Sequence, residues 1–439
     1  MELNDLEPGR PIAQVHVETA SSQQHIKKET RLVLLGCCML QLPIWGFAMT
    51  FGIFQQQFSR DGALGGSRAS TAIIGLTTNG VMYLSMPVLF TALDSGRWAH
   101  LRRRCAVAGV IISSTSFLVS SWGREVWHLV ILQGVLAALG GAMLYSPTTL
   151  LIDQWFVTRR ATAYGAVLSS KNIVGTCCPF LMYGLLDRLG PWWTLRIWAA
   201  IVLATGLIGI SIMPQPPFPE SRRAREIPWN FLKHRTFYIY ALGNMVQSAG
   251  YGIPQTYLPE YASEVSHLSA IESSLMLTLF NLPGILSSFG FGFLADKASF
   301  SASTNTLISA VGSGVCALCL WGTKSNLVPA VLVLFSIGYG FFAGGYSGTW
   351  GGWIKDLERE ARGKNEAINT GMIYGLLNGA RGVGYVSAGP AGVALLNAGA
   401  VLSSEAWGYG TRYGALMVFT GICSVLGGWS VVWRSCNCR

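Results

Sequence analysis

Long apolar runs alternate with short polar breaks along this chain. Runs of about 18 to 25 residues, the length that crosses a bilayer as a helix, lie near 32–55, 71–93, 105–121, 128–151, 161–186, 192–213, 236–258, 272–294, 305–322, 327–349, 367–394 and 411–433. Their number, about twelve, leaves little chain for a soluble domain. The polar remainder is a stretch at 1–30, read as a disordered cytoplasmic N-terminus, a basic loop at 214–235, and a short tail at 435–439. No apolar segment follows a basic start within the first stretch, so it does not read as a cleavable leader.

The pattern repeats once. Asn79 precedes Asp94 by the same interval that separates Asn281 from Asp296, and Ala-Leu or Leu-Ala comes just before each acid. YGAVLSSKNIVG in the fifth run matches YGLLNGARGVG in the eleventh, so that Tyr164 stands to Lys171 as Tyr374 stands to Arg381. Both pairs are related by nearly the same shift, which joins run two to eight and five to eleven. The expected fold is therefore an all-α membrane protein: twelve transmembrane helices in two six-helix pseudo-symmetric halves, 31–213 and 236–434, joined by the cytoplasmic loop 214–235.

Composition agrees with this. The 439 residues are 51% hydrophobic and 12% charged. Placing the N-terminus in the cytoplasm puts about 22 basic residues on that side and about 7 on the other, which predicts cytoplasmic termini. The net charge of +10 follows from that bias and implies a lipid bilayer with an anionic leaflet as partner, and no nucleic acid. Most of the ten cysteines fall inside the runs and read as small apolar residues. Cys436 and Cys438, just past the last run, are candidate palmitoylation sites.

Two charged residues fall deep within runs, well away from either end. Holding a charge at a helix centre costs about 2.5 to 3.5 kcal/mol, so Lys171 and Arg381 are read as facing a wet central cavity where they hold an anionic or electron-rich substrate. The competing reading is a snorkelling lysine and an arginine that clamps backbone carbonyls. Asn79, Asn281, Tyr251, Tyr374 and Trp45 are the other candidate substrate-binding residues, and the glycine-rich run at 338–353 is expected to let span ten pack closely and bend. The repeated acids mark a conformational latch made of Asp94, Arg97 and Asp296 with Arg159 and Arg160. No metalloprotease, nucleophile-elbow or phosphate-loop string is present, so neither an enzyme, a cofactor nor a metal is expected.

The segment DQWFVTRRATAYGAVLSSKNIVGTCCPFLMYGLLDRLGPWWTLRIWAA resembles the loop-to-span-six signature of the fungal monocarboxylate porter-like family of the major facilitator superfamily. Its marks are Trp155-Phe156, Arg159-Arg160, Gly165, Gly175, Pro179 and Trp192/Trp193 with Arg196. LPIWGFAMTFGIFQQQF and GYGIPQTYLPEYA are similar to the opening helices of that family's two halves. The resemblance implies a secondary transporter in the plasma membrane. It also implies an Arg and an acid in span eight for proton-linked carboxylate transport, and here those positions hold Ser288 and Gly284. Export of a fungal secondary metabolite is the expectation; uptake of a monocarboxylate or vitamin-like nutrient, or a membrane sensor, are the alternatives.

Overall fold

A computed structural model describes residues 28–61, 64–65, 68–94, 98–156, 160–214, 229–296, 301–323, 329–403 and 407–437. Residues 1–27 of the stretch expected to be disordered, most of the middle loop, Arg97, Arg159 and Cys438 lie outside the described residues; residues 28–30 of that stretch are helical, as the first turn of a spanning helix. Arg160, Asp296 and Cys436 are described in their backbone only.

Helices follow the apolar runs. They are α1 (Lys28–Ser59), α2 (Ala72–Asp94), α3 (Arg102–Ser120), α4 (Val126–Ile152), α5 (160–189), α6 (191–212), α7 (Arg235–Glu264), α8 (Ala270–Leu294), α9 (Ala302–Trp321), α10 (Pro329–Gly363), α11 (Thr370–Ala398) and α12 (Gly414–Trp433). The α5–α6 corner is made by Gly190, whose φ of 72° suits a residue without a Cβ, followed by Pro191, which has no amide hydrogen to leave unbonded. Eight helices among the described residues, the continuous α5–α6 pair counting as one, are long and apolar enough to cross a membrane. Helices α3, α7 and α11 fall short on composition because they carry Arg102 to Arg104, buried Asn244, Gln247 and Glu260, and Arg381 among many glycines.

An even number of crossings returns the chain to the end where it began, here called the termini end; the other is the far end. Three helix pairs join the halves: α2 with α11, α5 with α8, and α1 with α7. The α2–α11 seam needs glycine. A Cβ on Gly382 would sit 2.4 Å from the Leu84 backbone nitrogen and 2.8 Å from the Gly80 carbonyl, and backbone cannot move aside as a side chain can. Close approach of this kind replaces the hydrophobic drive that lipid removes.

One consequence is measurable. Gly382→Leu should destabilise the folded protein by about 1 to 3 kcal/mol through overpacking, read as a lower melting temperature in detergent. Gly184→Leu, where an added Cβ meets nothing within 4 Å, should leave that temperature unchanged.

Candidate functional site

A narrow cavity runs from mid-bundle toward the termini end. Each half contributes one cation to it. Lys171 on α5 sets its Nζ 3.9 Å above the Trp45 ring centroid and donates to the Tyr83 hydroxyl at 3.4 Å. Arg381 on α11 is 5% exposed. Its Cζ lies 5.2 Å from the Tyr83 ring, 5.5 Å from Tyr251, and 5.9 Å from both Trp350 and Tyr385, and its Nη1 donates to Ser347. Tyr83 thus touches both charges.

The rings brace one another. Trp45 meets Tyr83 at 5.3 Å and Tyr145 at 5.8 Å, Tyr83 stacks on Tyr385 at 5.8 Å, and Trp350 meets Tyr374 at 5.5 Å. The repeat seen in the sequence closes here, since Tyr164 and Tyr374 face each other at 6.5 Å and both line the cavity. The helix of span ten changes to a 3-10 turn at Tyr346–Thr349, where Ser347 receives Arg381, as expected of a helix made pliable by glycine.

What the cavity lacks matters as much. Among the described residues no Asp or Glu lines it and neither cation is in an ion pair. Three buried donors of the lining, Trp45 Nε1, Trp350 Nε1 and Arg381 Nε, have no acceptor. Cation–π contact stabilises a desolvated cation by about 2 kcal/mol or somewhat more, which does not replace a counter-charge. The arrangement suits an anion with a ring or other flat apolar body.

Four of the sequence-predicted residues line this space: Lys171, Arg381, Trp45 and Tyr374. Tyr251 stands behind Arg381. Asn79 and Asn281 lie away from it: Asn79 donates to the carbonyls of Gly75 and Ala48, Asn281 to those of Leu277 and Gly175. A helical asparagine bonded to a carbonyl one turn back and to one on a neighbouring helix is a packing tie. Nor does Lys171 snorkel, because its amine ends on rings in the bundle interior. At the span-eight positions where the resemblance implies a charged pair, Asn172 donates to Ser288 at 3.4 Å and its amide lies 3.3 Å from where a Gly284 Cβ would stand. A neutral α5–α8 tie fills that place.

At the termini end, Asp94 is 3.7 Å from Arg102 of its own half and accepts a hydrogen bond from Asn369 of the other half at 3.5 Å. Asn369 is also the N-cap of α11, accepting from the Met372 amide at 3.1 Å. At the far end the chain carries a polar cluster that the sequence reading passed over. Glu260 on α7, 2% exposed, accepts from Ser59 of α1 at 2.6 Å, from Gln55 at 3.3 Å and from Arg412 at 2.9 Å. The rule that singled out Lys171, a charge inside an apolar run, reaches Glu260 only when the seventh run, bounded at 258, is extended through YLPEYA to the end of α7 at Glu264.

Two six-helix halves around a polar mid-membrane cavity define a secondary transporter. The chain belongs to the Major Facilitator Superfamily, whose family model matches residues 32–389. It is 25% identical over 370 residues to the "MFS-type transporter pynF" of Aspergillus niger, covering 84% of this chain and 81% of that one. To the "Fujikurins efflux protein" of Gibberella fujikuroi it is 26% identical over 318 residues, 71% of this chain and 66% of that protein. Human "Monocarboxylate transporter 11" is 25% identical over 295 residues, 64% and 60% of the respective chains. These likenesses bear out the fungal, monocarboxylate porter-like resemblance read from the loop-to-span-six segment. The protein is a multi-pass membrane transporter.

The Lys171–Trp45 contact gives a test independent of any substrate. A double-mutant cycle of Lys171→Met and Trp45→Leu, read by thermal unfolding, should return a coupling energy of about 0.5 to 2 kcal/mol. Additive losses would show that the contact contributes nothing.

Proposed function

We propose that the protein exports a small organic anion with an aromatic or conjugated body, a secondary metabolite, by alternating access from the cytoplasm across the plasma membrane. One observation carries the reading: each half places a cation in a shared aromatic cavity whose lining, among the described residues, has no carboxylate. An anion there would satisfy Lys171 and Arg381 together and so act on both halves at once. Trp45 and Tyr374 would contact its apolar body.

Direction has separate support. The excess of Lys and Arg at the termini end favours a cytoplasmic location for that end, and the cavity extends toward it. A relative bears the name of an efflux protein. Uptake of a monocarboxylate has the human likeness in its favour, but the neutral Asn172–Ser288 tie occupies the place of the charged pair that proton-linked carboxylate transport is expected to use. Asp94, through Asn369, serves as a termini-end latch that favours one state of the cycle.

Titration of purified protein by tryptophan fluorescence, with aryl carboxylates and their neutral amides as probes, tests the site. The acids should bind at least about tenfold more tightly than the amides, the value of one charge-assisted hydrogen bond. Lys171→Met or Arg381→Gln should lower acid affinity roughly ten- to hundredfold and leave the amides unchanged. Equal affinity for acid and amide in the wild type would remove the basis of the anion reading.

For the latch, Asp94→Asn should change the resting balance of conformations, seen by spin-label distances between α2 and α11 ends, while the affinity for the same acids stays within about twofold. Loss of affinity equal to that of the cavity variants would contradict this separation of roles.

A further inference from the structure

We infer that Glu260 is the gate carboxylate of the transport cycle: it holds α1 against α7 at the far end and releases α1 each time that end opens. The inference stands apart from the substrate reading and requires only that the protein works by alternating access.

The argument begins with the bonds themselves. Ser59 and Gln55 belong to the first half and Glu260 to the second, so both bonds to the carboxylate cross the seam between halves. Gln55 is oriented for this, since its Oε1 accepts from Thr71 at 2.7 Å and its amide nitrogen is thereby turned to Glu260. Arg412, from the segment before α12, approaches Glu260 at 2.9 Å and Glu264 at 3.0 Å, and Tyr413 donates to Glu264 at 2.8 Å. Arg412, Glu264 and Tyr413 share a half with Glu260, so they travel with it.

This division answers why an acid is tolerated at a buried seam. A buried carboxylate stripped of its partners is among the costliest groups a protein can hold. When α1 leaves, Glu260 loses Ser59 and Gln55 but keeps Arg412, and water enters through the opening. It is satisfied in both states, yet the two cross-half bonds exist in the closed state alone. Below the clasp, towards the cavity, the two backbones close the passage: a Cβ on Gly52 would stand 2.8 Å from the Gln255 carbonyl and 3.0 Å from that of Thr256. The α1–α7 seam is therefore shut by backbone contact and held by a charge-assisted bond.

The test uses the full chain with its native cysteines replaced and a single reporter, Thr256→Cys, at a position 5% exposed within the closed seam. A maleimide carried on a polyethylene glycol of about 5 kDa is too large to pass through the aromatic cavity and reaches position 256 when the far end is open. Ser59→Ala should raise the labelling rate about tenfold, the equilibrium effect of losing one hydrogen bond to a charged group. Glu260→Gln should raise it further, and Ser59→Thr, which keeps the hydroxyl, should restore the slow rate. Ser59→Ala leaves no charge unpaired, so it decides the matter even if Glu260→Gln fails to fold. Labelling unchanged in folded Ser59→Ala protein, with a lowered melting temperature alone, would show a structural tie and overturn the gate.

Discussion

A charge held in the hydrocarbon layer must meet water or a partner, and the rest of this structure is arranged around two that, among the described residues, have no carboxylate. Lys171 and Arg381 reach the interior from opposite halves, and each is met by ring faces. Rings hold a cation weakly enough to yield it. A carboxylate in their place would neutralise the cavity permanently, whereas the negative face of a tyrosine or tryptophan stabilises the empty site and leaves its charge available. The aromatic content of the cavity and its shortage of acids are thus two aspects of one requirement.

The seams between the halves differ in kind for a related reason. Along α2 and α11 backbones touch through Gly80 and Gly382, with Gly379 against Pro87. Dispersion contact of that closeness falls away steeply with distance, so parting these two helices would forfeit it. Between α1 and α7 the contact is polar at its outer end and sits on different physics. Hydrogen bonds to a carboxylate exchange for bonds to water at small net cost, which is what a contact broken in every cycle needs.

Much of this was legible before any coordinates. The twelve runs became helices, because in lipid a spanning segment has no other way to satisfy its backbone. Lys171 and Arg381 were legible from insertion cost, and their meeting in one cavity from the repeat. Asn79 and Asn281 belong to the same repeat and lie away from the cavity. Asparagine differs from lysine in having partners at hand in any helix pair, so its presence in a span does not require a cavity. Glu260 was open to the same cost argument as Lys171. It was hidden by position, one turn from the end of its span, where an acid is easily taken for a loop residue. The partners of Asp94 were not legible, since Asn369 is distant in sequence and carries no charge.

The cavity and the far clasp lie on the same two rods. Helix α1 carries Trp45 under Lys171 and, about 20 Å further along, Ser59; helix α7 carries Tyr251 beside Arg381 and then Glu260. Neither helix can swing at its far end without some rotation at the level of the cations. Tyr385 adds a lateral link, since its ring lies against Arg381 and its hydroxyl donates to Gln255 of α7 at 3.2 Å, one turn before the clasp. A ligand that draws Lys171 and Arg381 toward itself therefore pulls on α5 and α11 directly and on α1 and α7 through Trp45, Tyr251 and Tyr385. In the proposed cycle, adjustment of the rings around a bound anion is carried along these helices to the bonds at Glu260, whose geometry tolerates little stretching.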